Sequence, residues 1–130
     1  MTAKYLKADQ IVNKFNFLID EGFSITKEET LNYGAYVEYK GNGIKIYLEF
    51  EFKSYTFYFD IYKSEALSYI DSAYGKEIIS FCQLVKKYNQ EYDCSNLQPN
   101  EKDGYEIAME NNVSVLKKYG KNILSGKEWL

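Results

Sequence analysis

The chain has 130 residues and a formal net charge of −3, and it contains neither histidine nor arginine. This composition excludes a histidine general base and the planar guanidinium fork that binds phosphate best. The length fits a single domain, residues 1–130, and a hydrophobic fraction of 45% supports a packed core.

Apolar residues near the N-terminus recur at helical spacing and predict a first helix. They are Ile11, Val12, Phe15, Leu18 and Ile19. Gly22 follows as a natural helix stop. In the stretch from 23 to 32, Phe23 and Ile25 indicate a further short strand, and Glu28-Glu29 indicates a polar turn.

Residues 33–63 alternate in polarity and predict three antiparallel strands. Asn42-Gly43 favours a two-residue type I′ turn, because both residues tolerate the positive φ that this turn requires. That turn pairs Val37 with Leu48, and the reversal near Lys53-Ser54 then pairs Leu48 with Phe59. The register predicts a buried face of nine apolar or aromatic residues: Ala35, Val37, Tyr39, Ile46, Leu48, Phe50, Phe57, Phe59 and Ile61.

The opposite face of these strands combines tyrosines with carboxylates. Its predicted cross-strand rows are Tyr36–Glu49–Tyr58, Glu38–Tyr47–Asp60, Lys40–Lys45–Tyr62 and Glu51–Thr56. Each carboxylate of the first two rows lies opposite tyrosine, which keeps like charges off directly opposed positions. This pattern fits an ordinary solvated face, since tyrosine has high β-propensity, and equally an interface, where tyrosine anchors are enriched.

The second half of the chain predicts helices that cover the sheet. Ser64 to Leu67 indicates a short helical turn. A long helix is expected from Ser72 to Asn89, with an apolar stripe of Ile78, Phe81, Cys82, Val85 and Tyr88. A polar loop from Tyr92 to Lys102 leads to a last helix from an Asp103 N-cap to Leu124, with Met109, Val113, Leu116, Gly120 and Ile123 on its stripe. Gly126 ends that helix, and Trp129 is expected to fold back onto the body.

The sequence therefore predicts an α+β fold. We expect a three- or four-stranded antiparallel meander, with an N-terminal helix and two long C-terminal helices on one face. No apolar run approaches the ~18 residues of a membrane span, and the N-terminus lacks the apolar core of a signal peptide. These features favour a cytoplasmic protein, and a Cys82–Cys94 disulfide is disfavoured in such a reducing compartment.

Catalytic, metal and cofactor sites find little support in the sequence. Cys82 lies on an apolar stripe, where cysteine acts as a small hydrophobe, and no histidine is present to activate it. Glu49 and Glu51 project from one strand to the same side, about 7 Å apart. Such a pair could serve a carboxylate-dependent hydrolase or a divalent-cation site, although an exposed strand offers no cleft to shift a carboxyl pKa. Acidic groups between the tyrosines, together with the net charge, disfavour nucleic acid.

The order of elements resembles the small α+β immunity proteins that bacteria encode beside secreted polymorphic toxins. The resemblance lies in the "LIDEGF" that trails the first helix, the tyrosine-rich meander and the closing "LKKYGKNILSGKEW". In the closing stretch it involves Leu116, Tyr119, Ile123, Leu124, Gly126 and Trp129. It implies a protein that neutralises a cognate toxin by binding it, without catalysis of its own. A chain rich in lysine but lacking arginine is also typical of AT-rich bacterial genomes.

The acidic, aromatic sheet face is the predicted binding site for such a partner. Its residues are Tyr36, Glu38, Tyr47, Glu49, Glu51, Tyr58, Asp60 and Tyr62. Opposed charge would raise the rate of association with a basic partner, and tyrosine anchors would slow dissociation. The polar loop from Tyr92 to Lys102 and a free sheet edge are the alternative sites. The toxin's activity and the oligomeric state do not follow from the sequence.

Overall fold

One five-stranded antiparallel sheet, with strands in sequence order, forms the framework of the fold. The computed structural model describes residues 6–66 and 77–129. The strands are β1 Ser24–Thr30, β2 Gly34–Gly41, β3 Ile44–Glu51, β4 Thr56–Tyr62 and β5 Ile78–Ser80. The helices are α1 Ala8–Lys14, α2 Phe17–Asp20, α3 Phe81–Tyr88, α4 Glu106–Tyr119 and α5 Lys121–Leu124, with a 3₁₀ turn at Cys94–Leu97. The α+β class is confirmed, whereas the expected count of three or four strands is wrong.

The predicted register of the central meander is confirmed at every position. Val37 pairs with Leu48, and Leu48 pairs with Phe59. Asn42 and Gly43 have φ values of 52° and 81°, as a type I′ turn requires. The Asn42 side chain also donates hydrogen bonds of 2.8 and 2.7 Å to the carbonyls of Glu21 and Leu124. The turn thereby ties the C-terminal ends of α2 and α5 to the sheet.

The inner face of the sheet is the main hydrophobic core. All nine predicted inner-face residues are buried, and the helices pack over them. Phe15 stacks on Phe57 with ring centroids 6.2 Å apart, and Phe59 stacks on Phe81 at 4.3 Å. Burying aromatic side chains of this size removes a large apolar area from water, so these pairs join α1 and α3 firmly to β4.

In the N-terminal region the short strand indicated by the sequence is present as the longer β1, and the predicted helix contains a break. The predicted helix is split into α1 and α2, and Ile19 is 43% exposed instead of facing the core. Gly22 ends α2 as predicted: its φ is 99°, and the Phe23 N–H bonds the Leu18 carbonyl at 3.0 Å. Glu28 and Glu29 were expected in a turn but lie in β1. They fit there because charged side chains are common on an exposed edge strand.

The region after the meander departs most from the prediction. The helix expected from Ser72 to Asn89 begins only at Phe81, because Ile78–Ser80 pairs with β4 as β5. Ser80 and Gln83 form a capping box that fixes this start. Residues 67–76, including part of that expected helix and Leu67 of the expected turn, lie outside the described residues.

The C-terminal helix is shorter than predicted at its start and broken near its end. Asp103 lies in a turn, and α4 begins at Glu106. Gly120 separates α4 from α5, and a Cβ there would lie 2.6 Å from the Leu116 carbonyl oxygen. Gly126 ends α5 with a φ of 77°, and Trp129 packs against the core as expected.

Cys82 and Cys94 form a disulfide, contrary to the prediction from the sequence. Cys82 is only partly buried, so it does not occupy the core position expected of a helical apolar stripe. The bond joins α3 to the 3₁₀ turn at Cys94–Leu97, where Asp93 caps the turn by accepting from the Ser95 N–H at 3.0 Å. The loop expected to be simply polar is therefore anchored to the body.

Candidate interaction surface on the outer sheet face

The outer face of the sheet carries the predicted rows of tyrosines and carboxylates in the predicted order. Tyr36 pairs with Glu49, and Glu49 pairs with Tyr58. Glu38 pairs with Tyr47, and Tyr47 pairs with Asp60. The strand β1 adds Glu29 beside Tyr36 and Lys27 beside Glu38, which extends both rows by one residue.

The outer face is not a uniformly solvated surface. Glu38 is only 6% exposed, Lys45 8% and Tyr62 6%, whereas Tyr58 is 45% exposed. The remaining predicted site residues are partly buried: Tyr36, Tyr47, Glu49, Glu51 and Asp60. The face is therefore graded from a buried side near Lys45 to an exposed side near Tyr58.

Seven of these side chains line a groove of about 390 Å³, hereafter the outer groove. They are Glu38, Lys45, Tyr47, Glu49, Tyr58, Asp60 and Tyr62. The sheet face, which was expected to offer no cleft, thus carries a groove that is shallow and open to solvent. Two predicted site residues, Tyr36 and Glu51, lie outside the groove lining.

On the buried side of the outer groove, Glu38 and Lys45 form a pair. The Lys45 Nζ lies 3.5 Å from the Glu38 Oε1 and 4.3 Å from the centre of the Tyr62 ring. Thr26 donates to the Glu38 Oε2 at 2.7 Å. Burial by itself raises the pKa of Glu38, but the Thr26 hydrogen bond and the charge of Lys45 outweigh it and lower the pKa. Glu38 is therefore held ionised.

On the exposed side of the outer groove, Asp60 has the opposite character. Burial, with the negative charge of Glu49 as the second cause, raises the pKa of Asp60 to about 6. Glu49 itself accepts a hydrogen bond of 2.5 Å from the Tyr47 hydroxyl. Among the described residues, no ammonium group offsets the two carboxylates of Glu49 and Asp60 as Lys45 does for Glu38.

The tyrosines of the face are fixed by one another and by carboxylates. Burial, followed by the hydrogen bond to Glu49, raises the pKa of Tyr47. Its ring stacks on that of Tyr36 with centroids 5.9 Å apart. The Tyr36 hydroxyl donates to the Glu29 Oε2 at 2.7 Å, and this bond raises the pKa of Tyr36. Such fixed rings present apolar area to a partner at little further entropic cost.

Glu51 serves the turn between β3 and β4 and does not act with Glu49. Its carboxylate accepts from the Ser54 hydroxyl, from the Ser54 N–H at 2.8 Å and from the Lys53 N–H at 3.0 Å. The hydrogen bond from the Ser54 side chain is the main cause that lowers the pKa of Glu51. Glu51 is therefore engaged by the turn and does not pair with Glu49, whose charge acts instead on Asp60.

Two contributors to the outer groove were missed or undervalued from the sequence. Thr26 was missed because the register of β1 contains a shift between Ile25 and Lys27 that no pattern in the sequence signals. Lys45 was placed on the face but treated as peripheral. The available signal was the predicted register, which pairs Lys45 with Lys40 and thereby places Lys45 diagonally across from Glu38.

The two alternative binding sites are the loop from Tyr92 to Lys102 and a free sheet edge, and they differ in how accessible they are to a partner. The loop is fastened to β4: the Gln98 side chain accepts from the Phe57 N–H at 2.9 Å and donates to the Phe57 carbonyl at 2.7 Å. Gln98 thus occupies the sheet edge where a partner strand would pair. The other edge, β1, is exposed except at Ile25, which is half-buried.

Comparisons with protein-family models, with curated proteins and with solved structures found no match to this chain. Within residues 6–66 and 77–129, no three histidine, cysteine, aspartate or glutamate side chains are arranged to hold a metal ion. No helix in those ranges combines the length and apolar character needed to cross a bilayer.

Proposed function

We propose that this protein is an inhibitory binding protein, an immunity protein that neutralises a cognate bacterial toxin domain by contact through its outer sheet face. The single observation that carries the proposal is the outer groove, in which fixed tyrosine rings alternate with carboxylates on the side of the sheet away from the helices. Tyrosine anchors among polar groups are characteristic of protein interfaces. The resemblance to immunity proteins supplies the class of partner.

The proposal assigns no catalysis, cofactor, nucleic acid or membrane to the chain. Its negative charge and the acidic groups on the face suit a partner with a basic surface, such as an enzyme with an anionic substrate. A cytoplasmic location is part of the proposal. The disulfide between Cys82 and Cys94 counts against that location, because disulfides are rare in reducing compartments.

The direct test is binding to a toxin domain, which the proposal expects to be encoded immediately upstream of this gene. Binding of the purified proteins is measured by calorimetry, and protection is measured as rescue of growth when both are co-expressed. We expect the triple variant Tyr47→Ala, Glu49→Ala, Asp60→Ala to lose both properties. Tyr33→Ala is the matched control, since Tyr33 is 63% exposed and lies outside the groove lining. Full binding by the triple variant would show that the outer face is only a solvated surface. The loop from Tyr92 to Lys102 or the β1 edge would then be the favoured binding site.

A second candidate function is favoured by one observation. Asp60, whose pKa is raised to about 6 by burial and by the charge of Glu49, shares the outer groove with that carboxylate. Glycoside hydrolysis pairs a general acid of raised pKa with a carboxylate base or nucleophile. This replaces the sequence-based alternative, a hydrolase or divalent-cation site built on Glu49 and Glu51.

The two candidate functions make opposite predictions for Glu49→Gln. As a binder, the protein shows no saturable glycosidase activity, and the variant keeps its fold because glutamine still accepts the Tyr47 hydrogen bond. As a hydrolase, it shows turnover that Glu49→Gln reduces by about a hundredfold or more, the effect of losing a catalytic carboxylate. Turnover on chromogenic glycosides and circular dichroism of the variant distinguish them.

A further inference from the structure

The outer groove has two halves of similar chemistry, and among its described lining residues the cation, Lys45, belongs to the first half. In the first half, Lys45 lies between the Glu38 carboxylate at 3.5 Å and the Tyr62 ring at 4.3 Å. In the second half, Glu49 and Asp60 supply carboxylates and Tyr58 supplies an exposed ring. The first half shows that this groove accommodates a cation held by a carboxylate and a tyrosine face together.

We infer, resting on the proposed function, that the second half of the outer groove receives an arginine side chain of the partner protein. The guanidinium would lie between Glu49 and Asp60, with its plane against tyrosine. Arginine fits better than lysine, because its planar fork can bond two carboxylates and stack on a ring at the same time. The chain contains no arginine of its own, so the partner has to supply it.

The charged groups around Asp60 explain why a cation is favoured there. Its strand neighbours on the outer face are tyrosines, and Ser80 on β5 is uncharged. The facing groups on the other packed strands are Lys45, Tyr47 and Glu49 on β3 and Glu38 on β2. Lys45 is engaged by Glu38, and burial, with the negative charge of Glu49 as the second cause, raises the pKa of Asp60 to about 6. A bound guanidinium would supply the missing positive charge and favour the ionised carboxylate.

Arginine binding should therefore strengthen as pH rises through about 6. With a pKa of about 6 for Asp60 in the free protein, about one tenth of the carboxyl is ionised at pH 5 and about nine tenths at pH 7. Because the guanidinium binds the ionised form, affinity at pH 5 should be lower by up to about tenfold.

The test uses a short probe peptide in place of the unidentified partner. The isotopically labelled full chain is titrated by NMR with acetyl-Gly-Arg-Gly-amide, and with the citrulline peptide of the same shape but no charge. We expect shifts at Tyr47, Tyr58 and Asp60 with the arginine peptide, and binding about fivefold or more weaker for the citrulline peptide, for Glu49→Gln and for Asp60→Asn. Glu91→Gln removes the same charge from an exposed loop residue and should leave binding unchanged.

Equal binding of the two peptides, or unchanged binding by Asp60→Asn at pH 7, would overturn the inference. Affinity that does not change between pH 5 and pH 7 would also overturn it. The two experiments together distinguish failure of this inference from failure of the proposed function. If the toxin domain binds through the face while the arginine peptide does not bind, only this inference is lost. If the arginine peptide binds and the toxin domain does not, the inhibitory function is lost instead.

Discussion

At the scale of single residues, Asp60 lowers the stability of the folded protein at neutral pH. The folded protein raises its pKa from 3.8 to about 6 through burial and through Glu49. Between these values the folded chain holds a proton that the unfolded chain has lost. The free energy of unfolding therefore falls as pH rises from about 4 to about 6, and the penalty is complete above that range.

Asp60→Asn should remove this penalty and stabilise the protein at pH 7. Full conversion of the pKa difference gives about 3 kcal/mol, and partial exposure of the side chain reduces the expectation to about 1–2 kcal/mol. At pH 4 most of this difference should be lost, because Asp60 is then protonated in the folded state and partly protonated in the unfolded chain. Urea unfolding at both pH values measures the difference, and a stabilisation of equal size at pH 4 would show that ionisation is not its cause.

At the scale of secondary-structure elements, local patterns predicted the meander and missed what depends on distant contacts. Alternation from Ala35 to Ile61 and the Asn42-Gly43 turn fixed the register, because a one-residue slip would expose the whole inner face. The strand β5 has three residues, too few to show a period, and it pairs with β4 across a long connection. Ser80 with Gln83 was a usable helix-start signal, and it would have shortened the predicted helix correctly.

The sequence predicted which residues lie on the candidate site but not how deeply each is buried. Register alone put Glu38, Tyr47 and Asp60 in one row. Their different burial depends on Thr26 from the irregular strand β1 and on Lys45, which engages Glu38. Because a pKa depends on burial and on neighbouring charges in three dimensions, the sequence could not show that the pKa of Glu38 is lowered and that of Asp60 is raised.

The disulfide should stabilise the segment that closes the β4 edge. It links residues 12 apart, for which the loss of loop entropy in the unfolded chain corresponds to about 3 kcal/mol. Reduction should lower the free energy of unfolding by about that amount, measured by urea unfolding with and without dithiothreitol. The double variant Cys82→Ser, Cys94→Ser should have the same free energy of unfolding as the reduced protein, and dithiothreitol should not change it. A reduced protein as stable as the oxidised one would contradict a stabilising role.

At the scale of the whole molecule, the two faces of the sheet have different roles in the proposed function. Helices cover the inner face, and the outer groove is left on the other side. Tyr47 is at the centre of this arrangement, stacked on Tyr36 and bonded to Glu49. Tyr47→Ala should weaken binding of the toxin domain by about 2 kcal/mol or more, mainly through faster dissociation, as central anchors do. Surface plasmon resonance measures both rates. If the affinity of the variant is within a factor of about two of the parent's, Tyr47 is not an anchor of the interface.

Charge at the rim of the face should act on association instead. Glu51→Lys is a poor test of this, because Glu51 accepts the hydrogen bonds that form the β3–β4 turn. Glu29 is a better choice: it is exposed on β1, and glutamine at this position can still accept from Tyr36. Glu29→Gln should slow association by about threefold or less, leave dissociation unchanged, and lose this effect at about 0.5 M salt, where exposed charges are screened. An effect that persists at high salt would place Glu29 in direct contact with the partner and extend the interface onto β1.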